Sequence, residues 1–403
     1  MLVEGSQIIA VGPADEVAPP EGVPVEVLDF AGKSIMPGMI DCHTHHNGFG
    51  DGRLGDTLKA IPDEVLTLQS ARNARAALFS GVTTIRENGP KNDTMFRLRD
   101  GFREGIGIGP RMVLCGRAVT IVGGHLSYFG PAITGPVEAR AMVRRLIKEG
   151  ADYIKIMATG GSTLTSNRLR PSFEVEELRA IADEAHKFGK LTAAHCLSTQ
   201  GIVNCLDANV DMIIHCVFQE PDGSNRFRED VAERIAKQGA SVNPTLHVFR
   251  ARVWAQQFKK AQQGLTSEEQ AALDDDLRYF DVRLDHCKRM IDLGVKLVTG
   301  SDSSWGDYQL GNTPYETECL VMAGYSNAQG VRSVTGDAAA SLGVDGETGT
   351  LEPGKAADIL VVDGDPHRDI TRLWNVNEVF LGGRRIDRGS QDSRAATRQH
   401  PPP

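Results

Sequence analysis

The chain has 403 residues, 40% of them hydrophobic and 24% charged, with a formal net charge of -9, which provides for one large domain plus a smaller one. Acidic and basic residues are interspersed with no basic stripe, which argues against nucleic acid as a partner, and the lack of an 18-residue apolar stretch argues against a membrane span. Seven cysteines, odd in number and mostly within apolar runs, read as buried thiols of a reducing compartment, and with no leader-like N-terminus the expectation is a cytoplasmic protein.

Residues 1–33 open with the hairpin-like pattern Leu2 to Gly12. From Ser34 onward, short apolar runs alternate with longer amphipathic segments, the pattern of parallel β-α units. Strands are predicted at Ser34 to Cys42, Val82 to Glu87, Arg111 to Ile121 and Tyr153 to Ala158, then at Leu191 to Cys196, Met212 to Cys216, Ser241 to Leu246 and Lys296 to Gly300. Among the intervening helices, Phe173, Leu178, Ile181, Ala182, Ala185 and Phe188 repeat at helical spacing, with Ser172 to cap the start and Gly189 the end. The expected architecture is therefore α/β, a (β/α)8 TIM barrel over residues 34–343. Residues 344–388 return to strand and turn; since neither flank can bury a core alone, 1–33 and 344–388 are expected to form one small β-sandwich beside the barrel. The polar, Pro-ended tail 389–403 reads as disordered.

Active sites of such barrels lie at the C-terminal strand ends. There the chain carries His43 and His45 on the first strand, Lys155 on the fourth, His195 on the fifth, His215 on the sixth and Asp302 just after the eighth. Side chains alternate along a strand, so His43 and His45 share a face and can chelate one metal; a surface pair is the plainer alternative. Lys155 lies in the apolar run Tyr153 to Met157, where a bare ammonium is costly unless a carboxylate pairs with it. Cys196 and Cys216 follow histidines directly, but alternation turns them into the core. In the glycine-containing loop after the third strand, His125 or Tyr128 can stabilise an oxyanion or grip a substrate carboxylate, or merely pack the loop. Arg168 and Arg170, in the loop Thr163 to Ser172, can pair with an acidic substrate or remain solvated. His247 and Trp305 are candidate pocket walls.

These ligand-type residues, in this order, resemble the amidohydrolase superfamily in its binuclear branch with a carboxylated lysine. So do the entry Gly32 to Asp41 and the return Gly349 to Val361, while Gly81 to Arg86, Gly123-Gly124-His125 and Pro244-Thr245-Leu246 resemble prolidase-type and imidazolonepropionase relatives. The resemblance implies that His43, His45 and Asp302 hold one metal and His195 and His215 a second, with Lys155 bridging both as a CO2-derived carbamate. Two divalent ions are expected, zinc from the His-rich ligand set, with cobalt and manganese also compatible. A hydroxide held between them would attack a carbonyl carbon, Asp302 acting first as base and then as acid toward the leaving nitrogen. The implied reaction is cleavage of a C-N bond in a small-molecule amide: an N-acyl amino acid, a dipeptide or an aryl amide. A carbamate or urea-type xenobiotic hydrolase of the same fold is the alternative, and a non-catalytic scaffold is the alternative of another class. Relatives are commonly homo-oligomers, and that is the expectation here.

Overall fold

The computed structural model describes residues 1–130, 132–306 and 308–389; the predicted disordered tail lies, apart from Gly389, outside the described residues. Strands β1 (Leu2–Glu4), β2 (Gln7–Ala10), β3 (Lys33–Pro37) and β4 (Met39–Thr44) are followed by β5 (Val82–Glu87), β6 (Arg111–Leu114) and β7 (Ile154–Met157). Then come β8 (Thr192–His195), β9 (Met212–Ile214), β10 (Ser241–Asn243), β11 (Ile359–Asp363), β12 (Val376–Leu381) and β13 (Arg384–Arg385). The fold is α/β, with helices between successive parallel strands of two sheets, one ordered β4-β5-β6 and the other β7-β8-β9-β10. Single backbone contacts continue these sheets. Val119 pairs with Ile156 of β7, Val242 of β10 pairs with Leu297, and Thr44 of β4 pairs with Ser303.

The predicted first strand is two strands. β3 pairs antiparallel with β11, whereas β4 pairs parallel with β5, and the chain changes sheets at Gly38. Only glycine fits there, because a Cβ would stand 1.9 Å from Thr83 Oγ1. The predicted third strand stops at Leu114, since Gly116 at φ +69° turns the chain before Val119 returns to β7. The seventh stops at Asn243, and Leu246 already opens the helix Leu246–Gln263. The predicted eighth strand, Lys296 to Gly300, forms a single bridge at Leu297 and no ladder. Two of its carbonyls, Val298 and Gly300, are instead taken by the Asn243 side-chain amide at 3.2 and 3.1 Å. The helix predicted from Phe173 spans Val175–Lys187; its cap is Glu174, whose N–H donates to the Glu177 carboxylate (2.9 Å), and not Ser172. Gly189, at φ +64°, follows its end as expected.

The flanks come together. β3, β11, β12 and β13 form an antiparallel sheet in the order β13-β12-β11-β3. The β1-β2 hairpin docks on the C-terminal segment, with Ile8 N–H donating to Lys355 O (2.9 Å) and Ala357 N–H to Ser6 O (2.8 Å). Arg111 of β6 ties this region to the parallel sheets through Glu347 (3.0 Å) and the buried Asp358 (3.3 Å). Among the described residues, no helix is long and apolar enough to cross a membrane.

One buried cation organises the strand ends. Arg283, in the helix Ser267–Asp292 and fully buried, donates to the carbonyls of His215, Cys216 (3.1 Å) and Pro244 (3.3 Å). These carbonyls belong to left-handed turns, with His215 at φ +65°, Cys216 at +49° and Thr245 at +50°, a conformation that non-glycine residues hold only when the surroundings enforce it. Arg283→Met removes these hydrogen bonds while keeping most of the packing volume. It is expected to cost about 3 kcal/mol, read from the urea midpoint; an unchanged midpoint would show that the turns hold themselves.

Candidate active site

His43 lies on β4 and His45 just beyond it, His195 closes β8, His215 follows β9, and Lys155 lies on β7. Asp302 follows the Leu297 bridge segment at φ +57°, with its N–H donating to His43 O (2.8 Å). Below them the buried Asp41 accepts from the N–H of His43 (3.0 Å), the N–H of Ser301 (2.9 Å) and Thr313 Oγ1 (2.6 Å). One carboxylate thereby locks the first strand to the segment that carries Asp302.

The ligand atoms of His43, His45 and Asp302 lie within 4.8 Å of one another. His45 Nε2 is 3.1 Å from both His43 Nε2 and Asp302 Oδ1. His195 and His215 form a second pair, Nδ1 to Nε2 at 2.9 Å, and the His215 ring is 5.4 Å from that of His43. The Lys155 ammonium end is fully buried, has Asn88 Oδ1 at 3.4 Å, and forms no ion pair among the described residues. The carboxylate pairing considered for it is absent there. Its charge is felt by His43, His45, His195, His215 and Asp302, so all six predicted residues meet in one place.

The outer nitrogens decide what the inner ones offer. Asn243 spends its amide protons on Val298 and Gly300, so its Oδ1 must accept from His43 Nδ1 (3.1 Å), leaving His43 Nε2 with a lone pair. Gly160 O can only accept, so His195 Nε2 donates to it (3.1 Å) and Nδ1 carries the lone pair. Thr245 Oγ1 donates to Pro244 O and accepts from His215 Nδ1 (2.7 Å), which leaves Nε2 as the acceptor. His195 and His215 therefore present lone pair to lone pair. Protonation does not relieve this, because burial holds His43 and His195 well below the usual imidazole range and His215 down at about 3. A cation between the rings satisfies both, and a buried N- and O-donor set in which the outer nitrogens of His43, His195 and His215 are anchored suits divalent metal.

Lys155 is pushed down to about 7 by burial and by the neighbouring Arg86, so near neutrality much of it is a free amine. For Asp302 burial opposes ionisation, yet the hydrogen bond to His45 and the fields of His45, His215 and Lys155 prevail and hold the carboxyl below its ordinary value.

Among the predicted pocket residues, His125 is buried with its ring 4.5 Å from that of His195, its Nδ1 is 2.9 Å from Thr163 Oγ1, and burial pushes it down to about 3. Trp305 lies against His45, ring centroids 5.0 Å apart, and Tyr128 packs near it. Arg168 and Arg170 are exposed, on a loop whose Gly161 touches the His125 ring; among the described residues no hydrogen bond or ion pair ties either guanidinium to the histidines. His247 is buried among Trp254, Tyr308 and Tyr315 and accepts from Asn312 Nδ2 (3.0 Å), so it sits in that aromatic group and not against the histidine cluster. Sequence reasoning missed Asn243 and Thr245. A signal existed, since both fall at the end of the predicted seventh strand, where only His247 was considered.

The chain belongs to the amidohydrolase family, whose model matches residues 34–386. It is 25% identical over 390 residues to ochratoxinase of Aspergillus niger, covering 86% of this chain and 76% of that one. Among solved structures, an amidohydrolase is 27% identical with a TM-score of 0.81, covering 95% of this chain and 93% of that one. A Xaa-Pro dipeptidase with bound methionine in its active site, 24% identical, shares the fold with a TM-score of 0.76, covering 96% and 94%.

Asn243→Leu removes the acceptor that orients His43. It is expected to weaken divalent-metal affinity roughly ten- to hundredfold in chelator competition; unchanged affinity would remove Asn243 from the site's design.

Proposed function

We propose that the protein is a binuclear metal-dependent amidohydrolase that cleaves the C-N bond of an N-acyl amino acid, dipeptide or aryl amide. The observation that carries this reading is the convergence of imidazole lone pairs, His195 Nδ1 on His215 Nε2 and His43 Nε2 beside Asp302, with each donor's other side bound to a fixed acceptor. His43, His45 and Asp302 would hold one ion, His195 and His215 the other, and Lys155, as the carbamate formed from CO2, would serve both. The buried, unpaired, partly deprotonated amine supports that assignment, because a free amine reacts with CO2 and an ammonium does not. The His-rich set favours zinc.

Divalent ions bound there supply a water nucleophile at neutral pH and polarise a carbonyl. Asp302 then accepts the proton of the attacking water and returns it to the leaving nitrogen, as its ionised carboxylate permits. His125, held neutral, offers one N–H to the oxygen of the carbonyl under attack, and Tyr128 is the second candidate for that role. In the same reading residues 34–343 close as a (β/α)8 barrel, supported by the contacts at Val119, Leu297 and Ser303, and the paired flanks 1–33 and 344–388 make the small β-sandwich domain.

A screen of N-acyl amino acids, dipeptides, anilides and carbamates with the zinc-loaded protein tests this. Roughly two ions per chain and hydrolysis lost on chelation are expected; a full complement of metal without turnover would favour a scaffold. Asp302→Asn should lower turnover roughly a thousandfold with the fold intact by circular dichroism, and wild-type turnover would overturn its acid-base role. Lys155→Ala should lose metal, with partial rescue by short carboxylic acids; full metal content and rate would remove the bridge.

A further inference from the structure

Beside the histidines stands an aromatic wall in which Phe129 and Trp305 have no part in the reaction chemistry above. Trp305 lies against His45, and nearly parallel to it, 26° apart with centroids separated by 6.3 Å, stands Phe129. Tyr128 meets Phe129 edge-on at 4.6 Å. Ala118, Leu126 and Met157, all buried, back Tyr128 and Trp305. Phe129 is buried as well, whereas Tyr128 and Trp305 remain partly exposed, so the wall has an open side toward solvent. The segment after the first barrel strand closes down on the same pair. At Gly55 a Cβ would stand 2.4 Å from the Tyr128 hydroxyl oxygen and 3.0 Å from Trp305 Cζ3, so only a residue without a side chain lets it approach so closely.

We propose that this wall selects substrates in which a planar aromatic ring is joined directly to the scissile amide, with Trp305 as the specificity-determining residue. The inference rests on the hydrolase reading above and narrows it. Its basis is position and chemistry together: the rings begin at His45, 5.0 Å from Trp305 between centroids, so a group stacked on Trp305 lies next to the proposed metal ligands. Apolar area alone does not distinguish phenyl from cyclohexyl. Aromatic edges and faces do, because offset-stacked and edge-to-face ring pairs gain beyond the area they bury.

The test compares kcat/KM for acetanilide against N-cyclohexylacetamide, and for N-benzoylglycine against N-cyclohexanecarbonylglycine, in zinc-loaded wild type, W305F and W305L with metal content measured. The expected result is an aryl preference in at least one pair that falls about tenfold in W305L and is largely kept in W305F. A merely structural Trp305 would lower both members of a pair alike. No preference in either pair, or a preference that W305L leaves untouched, overturns the proposal. Binding separates this outcome from failure of the hydrolase reading. Three tryptophans are present, so the difference between wild type and W305F isolates Trp305 emission, and benzamide is expected to perturb it where cyclohexanecarboxamide at the same concentration does not. If no amide is hydrolysed, the hydrolase reading fails and that binding difference alone decides the wall; equal perturbation by the two carboxamides overturns it.

Discussion

Two imidazole nitrogens that both carry lone pairs stand 2.9 Å apart in a buried site, and the remaining architecture around them is arranged so that neither can escape. A histidine pair on a surface would resolve such a clash by taking a proton or flipping a ring. Here protonation is opposed by burial, and flipping would forfeit the Gly160 and Thr245 acceptors that bind the outer nitrogens. Unsatisfied buried polar atoms are expensive, so the arrangement is suited to a positively charged partner. The donor set thus suits a cation, and the demand this places on the fold is met by hydrogen bonds to the outer nitrogens of His43, His195 and His215.

Holding that demand in place takes strain elsewhere. His215 and Asp302 both occupy left-handed backbone, as does Thr245, which orients the His215 ring. Such residues cost of order 1–3 kcal/mol each and persist when their surroundings over-determine them. The compensating groups are deeply buried: Arg283 on the carbonyls of His215 and Pro244, Asp41 between the first strand and Ser301, and Asn243 between His43 and the segment leading to Asp302. Each side chain joins two chain segments remote in sequence, so loss of any one loosens the site and the fold together.

The six ligand-type residues could be singled out because each lies on or just beyond an apolar run of Val, Ile, Leu, Met and Ala, which the structure resolves as strands except at Lys296 to Gly300. The misreadings occur where backbone is satisfied by something other than a ladder. Ser34 to Cys42 reads as one strand because its apolar run is unbroken, and only the clash of a Cβ at Gly38 with Thr83, a long-range contact, forces the change of sheet. Lys296 to Gly300 reads as a strand, yet the Asn243 amide takes two of its carbonyls. His247 was a reasonable wall candidate by position, but helix formation from Leu246 and the Glu316 carboxylate that binds its N–H turn it into the aromatic group at Tyr315. Arg168 and Arg170 illustrate the opposite limit, since a loop's charges give no indication of which way they project.

This contrast explains why reaction class and substrate separate so sharply. The six ligand-type residues lie on or just beyond parallel strands and the Leu297 bridge, where pairing and burial leave one geometry, and the outer nitrogens of His43, His195 and His215 are held by Asn243, Gly160 O and Thr245. The rings beside them, Tyr128, Phe129 and Trp305, belong to connections after β6 and after the Leu297 bridge, packed on one another, on His45 and on Ala118, Leu126 and Met157, with Gly55 in close approach. Side chains carried on such connections can change without disturbing Asp41, Asn243 or Arg283. A chain of this kind can keep one buried histidine cluster while exchanging what lies next to it. The buried histidine cluster is therefore fixed from several strands at once, whereas the rings beside it depend on the connecting segments that carry them.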